Sequence, residues 1–416
     1  MTTQLIDLDA NATTALDPRV LEAMRPHLLA GGNPESRHSL GRLARKAWDD
    51  AREKTASILG ADPDELTFTS GGTEANNAAL TGILNRRLKT HPNPPLPTVV
   101  VSTIEHPAVA EPVAYLQKKG LIETLHAPVQ ANGQASPSIW NAFLTAENKP
   151  VLATCMLANN ETGAIQPVAA LAAMAAEHGI AFHTDAVQAV GRTSVNFHQL
   201  GVTTLAAGSH KMHGPPGIGI LLVRNGAKIE PLMYGGGQQR GLRPGTPVVA
   251  LGVGLAKALE LWDLEKTARE SRWLSFKAQF LDELQSQLSQ TTIKIELNSL
   301  EDRSECLSQT LNLWLNHPQI VGEVALIQLD LEGLAISLGS ACASGSNRPS
   351  PVLKAMGFAD DRARSSIRIS FSGLTTAQEV SESATILART ALRLIQSEDG
   401  NDTEIVIERA RRRFHR

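Results

Sequence analysis

Short apolar or β-branched runs recur along the first half of the chain and stop at polar or glycine-rich turns. Helical stretches are set between several of them. The runs are Leu66-Thr-Phe-Thr69, Val99-Val-Val-Ser102, Val151 to Met156, Ile180-Ala-Phe-His183 and Thr203-Thr-Leu-Ala206; Arg37 to Leu59 and Val168 to His178 are helical in pattern. This alternation is what a mainly parallel sheet with covering helices requires, so an α/β fold is expected. In such sheets ligands lie outside the carboxyl ends of strands, which makes the residues just after each run the candidates for chemistry.

The 416 residues allow two domains, or one large α/β domain with a smaller companion. Tyr234 to Pro247 carries too many glycines and prolines for regular structure and reads as a long ordered loop. Val248 to Trp262 reads as a connecting helix, and from about Lys266 the pattern becomes helix, strand, strand, helix, strand, helix. A large domain over 15–263 is therefore expected, with 1–14 and 264–416 forming a small α/β domain.

Composition removes several function classes. Hydrophobic residues at 42% and charged residues at 19% are globular proportions, which excludes disorder for most of the length. Lys and Arg number 39 against 42 Asp and Glu, a net −3, so direct nucleic-acid binding and an anionic membrane surface are not expected. The basic tail Ile407 to Arg416 reads as a solvated helix terminus. The N-terminal residues lack a basic region followed by an apolar one, and the apolar stretch Leu171 to Phe182 is broken by Glu177 and His178; neither export nor a membrane span is expected. Three cysteines, Cys155, Cys306 and Cys342, fit neither a disulfide framework nor a Cys-only metal site, so a cytoplasmic protein without metal is expected.

Three constellations carry chemistry. Ser70-Gly-Gly-Thr-Glu-Ala-Asn-Asn77 follows a strand-like run and precedes a helix-like one, where small residues and a helix N-terminus can cradle an anion. A plain tight turn is the simpler reading of that motif alone. His183-Thr-Asp185-Ala-Val-Gln188 ends an apolar strand in an Asp, suited to a protonated heterocyclic nitrogen or, more plainly, to a helix cap. Gly208-Ser209-His210-Lys211-Met-His213-Gly-Pro-Pro-Gly sets a lysine between a strand and a turn, where it can form a Schiff base, although lysines are usually solvated. In this order the three supply a phosphate cradle, a pyridinium partner and a Schiff-base lysine, the contributions that a pyridoxal phosphate enzyme needs from its protein.

From about Asp7 to Leu394 the chain resembles the cysteine desulfurases of the class V aminotransferase family, within fold type I of the pyridoxal phosphate enzymes. The matching motifs include Leu8-Asp-Ala-Asn-Ala-Thr-Thr14, Glu105-His106, Asn159-Asn-Glu161, Gly241-Leu-Arg-Pro-Gly-Thr246, Gly339-Ser-Ala-Cys342 and Ser365-Ser-Ile-Arg368, besides the three above. The resemblance implies a Schiff base at Lys211, an Asp185 contact to the pyridine nitrogen, a Gln188 contact to the phenolic oxygen and a His106 ring stacked on the cofactor. It places Gly72, Thr73, Gly208, Ser209 and His210 around the phosphate, with Thr246 reaching across from the other subunit of a homodimer. Asn160 and Arg368 are implied to bind the carboxylate of L-cysteine, where arginine offers a planar bidentate fork.

Cys342 lies in Ser340-Ala-Cys-Ala-Ser-Gly-Ser-Asn-Arg-Pro-Ser350, small and polar residues that cannot form a core, so a mobile, exposed thiol is expected there. It is implied to take sulfur from the substrate as a persulfide, releasing alanine, and to pass it to an acceptor protein. The loop length resembles the subgroup serving iron–sulfur scaffolds and transfer-RNA thiolation. A selenocysteine or cystine lyase, which requires no protein thiol, is the rival enzyme; a catalytically idle docking partner is disfavoured by Lys211, Asp185, His106, Arg368 and Cys342 together. Cys155 and Cys306 sit in apolar settings and are assigned to packing. Three departures from the family pattern stand out: Gly208-Ser209 where the family often has Ser-Gly, Pro216 in place of a basic residue, and Gly72 in place of Ala.

Overall fold

The computed structural model describes residues 5–91, 95–300, 305–338 and 348–396. Cys342 and the basic tail lie outside the described residues.

Seven strands form the main sheet, in the spatial order Leu66–Thr69, Gly219–Val223, Thr204–Gly208, Ala181–Asp185, Leu152–Thr154, Thr98–Ser102, Glu123–Ala127. Neighbours from Thr204–Gly208 to Glu123–Ala127 are parallel, and Gly219–Val223 is antiparallel to both of its neighbours. Helices cover the faces, so the strands Thr98–Ser102, Thr204–Gly208 and Gly219–Val223 are buried at every residue. That explains why the central strands read as continuous apolar runs with no alternation. At Gly219 the backbones crowd: an added Cβ would fall 2.5 Å from the Gly71 carbonyl carbon and 2.7 Å from the Ala207 oxygen. Only glycine fits there.

The loop after Tyr234 is ordered by its side chains. The Gln239 amide donates to the Phe68 carbonyl at 2.8 Å and accepts from the Phe68 N–H at 2.7 Å, so it occupies the free edge of Leu66–Thr69 as a further strand would.

The connecting helix does not end at Trp262. It runs unbroken over Val249–Leu288, because neither Gly nor Pro occurs between Leu255 and Leu288. Its first half lies against Pro18–Leu29 and Ser39–Ile58; Gly252 leaves room for the Trp48 ring, which a Cβ would meet at 2.8 Å. Its second half carries Trp273, Phe276 and Phe280 into a separate apolar core with Leu313, Ile369 and Leu387. Each such burial stabilises the fold by about 1.5–3 kcal/mol. That core backs an antiparallel sheet in the order Ser337–Leu338, Ser366–Ser370, Thr310–Asn316, Lys294–Leu297, covered by Ala377–Gln396.

The N-terminal segment joins the two sheets. Ile6–Asp7 pairs parallel with Leu334–Ala335, and Asp9 bridges to Ser370. Thr14 then donates its N–H to the His210 carbonyl at 2.9 Å, at the carboxyl end of Thr204–Gly208.

Candidate active site

A cavity of about 250 Å³ opens at the carboxyl ends of the parallel strands. Its wall includes Gly72, Thr73, His106, Asn160, Asp185, Gln188, His210 and Lys211. These eight come from five separate stretches of sequence, each placed by the end of a strand or the turn after it.

The helix Gly72–Thr90 begins with no side-chain cap on its first N–H groups, and Gly72 and Thr73 face the cavity. An uncapped helix N-terminus favours an anion. Gly72 has a local cause, because a Cβ there would meet Val187 Cγ2 at 2.5 Å. One turn into this helix, the Asn76 amide donates to Asp185 Oδ2 at 2.7 Å, and its oxygen faces His183 Nε2 at 2.9 Å. Burial lowers the His183 pKa to about 3, so the ring is neutral. Because Asn76 presents its oxygen, Nε2 carries the hydrogen and Nδ1 accepts from Thr204 Oγ1 at 2.9 Å. Asp185 Oδ1 accepts from the Val187 N–H at 2.9 Å. The residues that follow form turns and no helix, so the side chain closes a local turn while its second oxygen belongs to a buried relay.

Lys211 ends the turn Ser209–Lys211, and its Nζ donates to the Asn11 carbonyl at 2.8 Å. Burial, with Lys211 and Arg192 nearby, brings the His210 pKa to about 4, and its Nδ1 lies 3.1 Å from Thr13 Oγ1. His106 accepts the Ala108 N–H on Nδ1 at 3.1 Å, capping the helix Pro107–Lys118 while its ring borders the cavity. Burial lowers its pKa, with Lys211 acting in the same sense against Asp185. Beside it Glu105 is half-buried with its carboxyl Oε2 enclosed; burial and the Asp185 charge push it up to about 8, so it is a neutral acid at pH 7. Cys155 and Cys306 are buried thiols raised by burial, in keeping with packing roles.

Several expected residues lie elsewhere. Arg368 is buried behind the wall, donating to the Asn160 carbonyl at 3.1 Å and to Asp9 Oδ1 at 2.6 Å. Gly208 and Ser209 do not reach the wall. The Ser209 hydroxyl is buried without a partner and packs against Gly214, where a Cβ would come within 2.0 Å of it. At Gly208 an added Cβ would sit 3.6 Å from the Gly72 nitrogen and 3.7 Å from His210 Cδ2, at ordinary contact distances. Thr246 is exposed, away from this cavity.

Sequence reasoning gave no roles to Asn76, His183 and Arg192. Each was signalled by spacing: Asn76 follows Gly72 by one helical turn, His183 shares a strand face with Asp185, and Arg192 follows Gln188 by four residues.

The aminotransferase class-V family matches residues 6–382 of the chain. The chain is 40% identical over 386 residues to a protein named cysteine desulfurase IscS from Dictyoglomus turgidum, covering 92% of this chain and 93% of that one. It is 38% identical over 393 residues to putative cysteine desulfurase IscS 1 of Bacillus subtilis, covering 94% and 99%. Among solved structures, a NifS-like protein superposes with a TM-score of 0.83 at 31% identity, covering 94% of this chain and all of that one. SspA in complex with cysteine gives 0.72, also at 31% identity, covering 89% and 99%.

Proposed function

This chain belongs to the class V aminotransferase family and is a pyridoxal phosphate-dependent cysteine desulfurase, and on that premise we propose how its own residues divide the work. The observation that carries the assignment is the single cavity wall on which Lys211, Asp185, Gln188, His106 and the uncapped start of Gly72–Thr90 meet. These groups fit the cofactor: an anion corner at Gly72, Thr73 and His210, a buried carboxylate for a ring nitrogen, and an amine held on a backbone carbonyl. When bound there, the cofactor supplies a cationic ring that withdraws electrons from the substrate Cα.

Lys211 would hold the cofactor through its Nζ and would be the group that moves the proton at the substrate Cα. Asp185, fixed by Asn76 and His183, is the acceptor that keeps a ring proton in place. The His106 ring, on the cavity wall, would be the face against which the cofactor is held, Asn160 would orient the substrate carboxylate, and Arg368, behind the wall on the Asn160 carbonyl, would supply the positive charge for it. The Cys342 thiolate attacks the substrate sulfur: a sulfur–sulfur bond forms, the carbon–sulfur bond breaks, and its electron pair stays on the departing three-carbon unit, which is protonated to alanine. We further propose a homodimer in which the exposed Thr246 meets the partner's cofactor, a sulfur-acceptor protein as recipient, a cytoplasmic setting, and a division into a cofactor domain over 15–263 and a small domain from 1–14 and 264–416. Among the described residues no helix is long and apolar enough to cross a membrane.

Incubation of the loaded enzyme with L-cysteine and a thiol reductant is expected to give alanine and sulfide in equal amounts. Without reductant, peptide mapping is expected to find one added sulfur atom on Cys342. Pyruvate and ammonia in place of alanine would refute the reading.

The anion corner also makes a prediction about affinity. Gly208→Ser adds a hydroxyl beside the Gly72 nitrogen, with its Cβ at ordinary contact distances, and a hydrogen bond to a charged group contributes about 1.5–3 kcal/mol. Cofactor affinity, measured by equilibrium dialysis of the apoprotein, is expected to rise roughly tenfold. Unchanged or weaker binding would place the phosphate elsewhere.

A further inference from the structure

Arg192 is fully buried, and every hydrogen bond it makes goes to a neutral oxygen. Its guanidinium donates to the Asn11 and Gln188 side-chain oxygens, to the Ala10 carbonyl at 2.5 Å, and twice to the Lys211 carbonyl at 3.2 and 3.1 Å. None of these acceptors is a carboxylate. Such an ion is costly to bury, and burial, reinforced by Arg368 and opposed by Asp9, brings its pKa down to about 9. A cation kept at this cost on residues of the cavity wall calls for a reason.

We infer that Arg192 is a positioning residue that fixes which end of the Gln188 amide faces the cavity and makes that corner positive, so that the ring oxygen met by Gln188 is held as an anion. Arginine has no acceptor, so Gln188 can present only its oxygen to Arg192. The NH₂ end is thereby turned away; one hydrogen goes to the Asn11 carbonyl at 2.9 Å, and the other remains for the cavity. The charged and titratable groups around this corner are Asp185 from the same turn segment, Asp9 from the N-terminal segment, His210, Lys211 and His213 from the lysine turn, and Arg368 from Ser366–Ser370. Burial lowers both histidines, so neither adds charge at neutral pH. This inference rests on the cofactor assignment above.

A cation near an ionisable oxygen favours its deprotonated form, so removing the charge raises the midpoint at which the bound cofactor's visible absorption titrates. Parent, Arg192→Gln and Arg192→Lys, each loaded with pyridoxal phosphate, are titrated spectroscopically, with thermal unfolding of the cofactor-free forms alongside. Arg192→Gln keeps a donor without the charge and is expected to raise the midpoint by roughly one pH unit. Arg192→Lys is expected to fall between it and the parent. A role confined to packing would lower the unfolding temperature and leave the midpoint in place. Unshifted midpoints in both variants, or variants that retain no cofactor band, overturn the Arg192 assignment. A parent protein without any visible band overturns the cofactor reading itself.

Discussion

Lys211→Ala is expected to abolish covalent attachment of the cofactor and to slow desulfuration by roughly 10²–10⁴-fold or more, the range lost with a positioned acid–base group. The side chain leaves the turn after Thr204–Gly208 and rests on the Asn11 carbonyl at 2.8 Å, so truncation leaves the surrounding backbone in place. The helix start at Gly72 and the Asp185–Asn76–His183 relay do not depend on the amine. Cofactor binding therefore persists in noncovalent form, and the visible band moves to that of the free aldehyde. Borohydride reduction of the parent followed by peptide mapping is expected to place the pyridoxyl group on Lys211. Label on Lys228 or another lysine would sink the assignment.

Cys342→Ser is expected to lose sulfide production by orders of magnitude while leaving the chemistry at Cα intact. A hydroxyl is a far poorer nucleophile toward sulfur than a thiolate, whereas proton movement at Cα is, in the proposed division of work, the task of Lys211 on the cavity wall. Hydrogen–deuterium exchange at Cα, followed by mass spectrometry of recovered cysteine, is expected to continue in this variant. Sulfide formed at the parent rate would transfer the reaction to the lyase class. Loss of exchange as well would mean that Cys342 helps to shape the cofactor site.

The fold was most legible where strands are buried on both faces. Val99 to Ser102 and Thr203 to Ala206 read as strands because their neighbours on either side are apolar. Glu123–Ala127 escaped detection because it is the edge strand, and its partly exposed Glu, Thr, Leu and His side chains carry no strong pattern. Gly219–Val223 was hidden behind the glycine and proline turn that precedes it. The end expected for the connecting helix at Trp262 is overturned because a change of packing partners along one helix leaves no breaker in the sequence. For the site, the residues that line the cavity, such as Gly72, Asp185 and Lys211, were legible by motif. The groups that hold them, Asn76, His183 and Arg192, interact mainly across tertiary contacts, and only their spacing hinted at them. The misplacement of Ser209 is of the same kind, since only the approach of Gly214 reveals where its hydroxyl points.

The path of the N-terminal segment sets an order of events during synthesis. Asn11, whose carbonyl receives both Lys211 and Gln188, is itself anchored by its N–H to Ser370 Oγ at 2.9 Å, 359 residues away. Ile6–Asp7 likewise waits for Leu334–Ala335. The sheet that carries Asp185 and Lys211 is complete once Val223 has been made, and Asn160, Arg192 and His210 already hold the segment from Ala10 to Thr14, but the Asn11 N–H and Ile6–Asp7 find their partners only on strands near the end of the chain. Contacts this distant in sequence are the slowest to close, so a nascent or truncated chain can display every cofactor-facing motif and still lack a finished site.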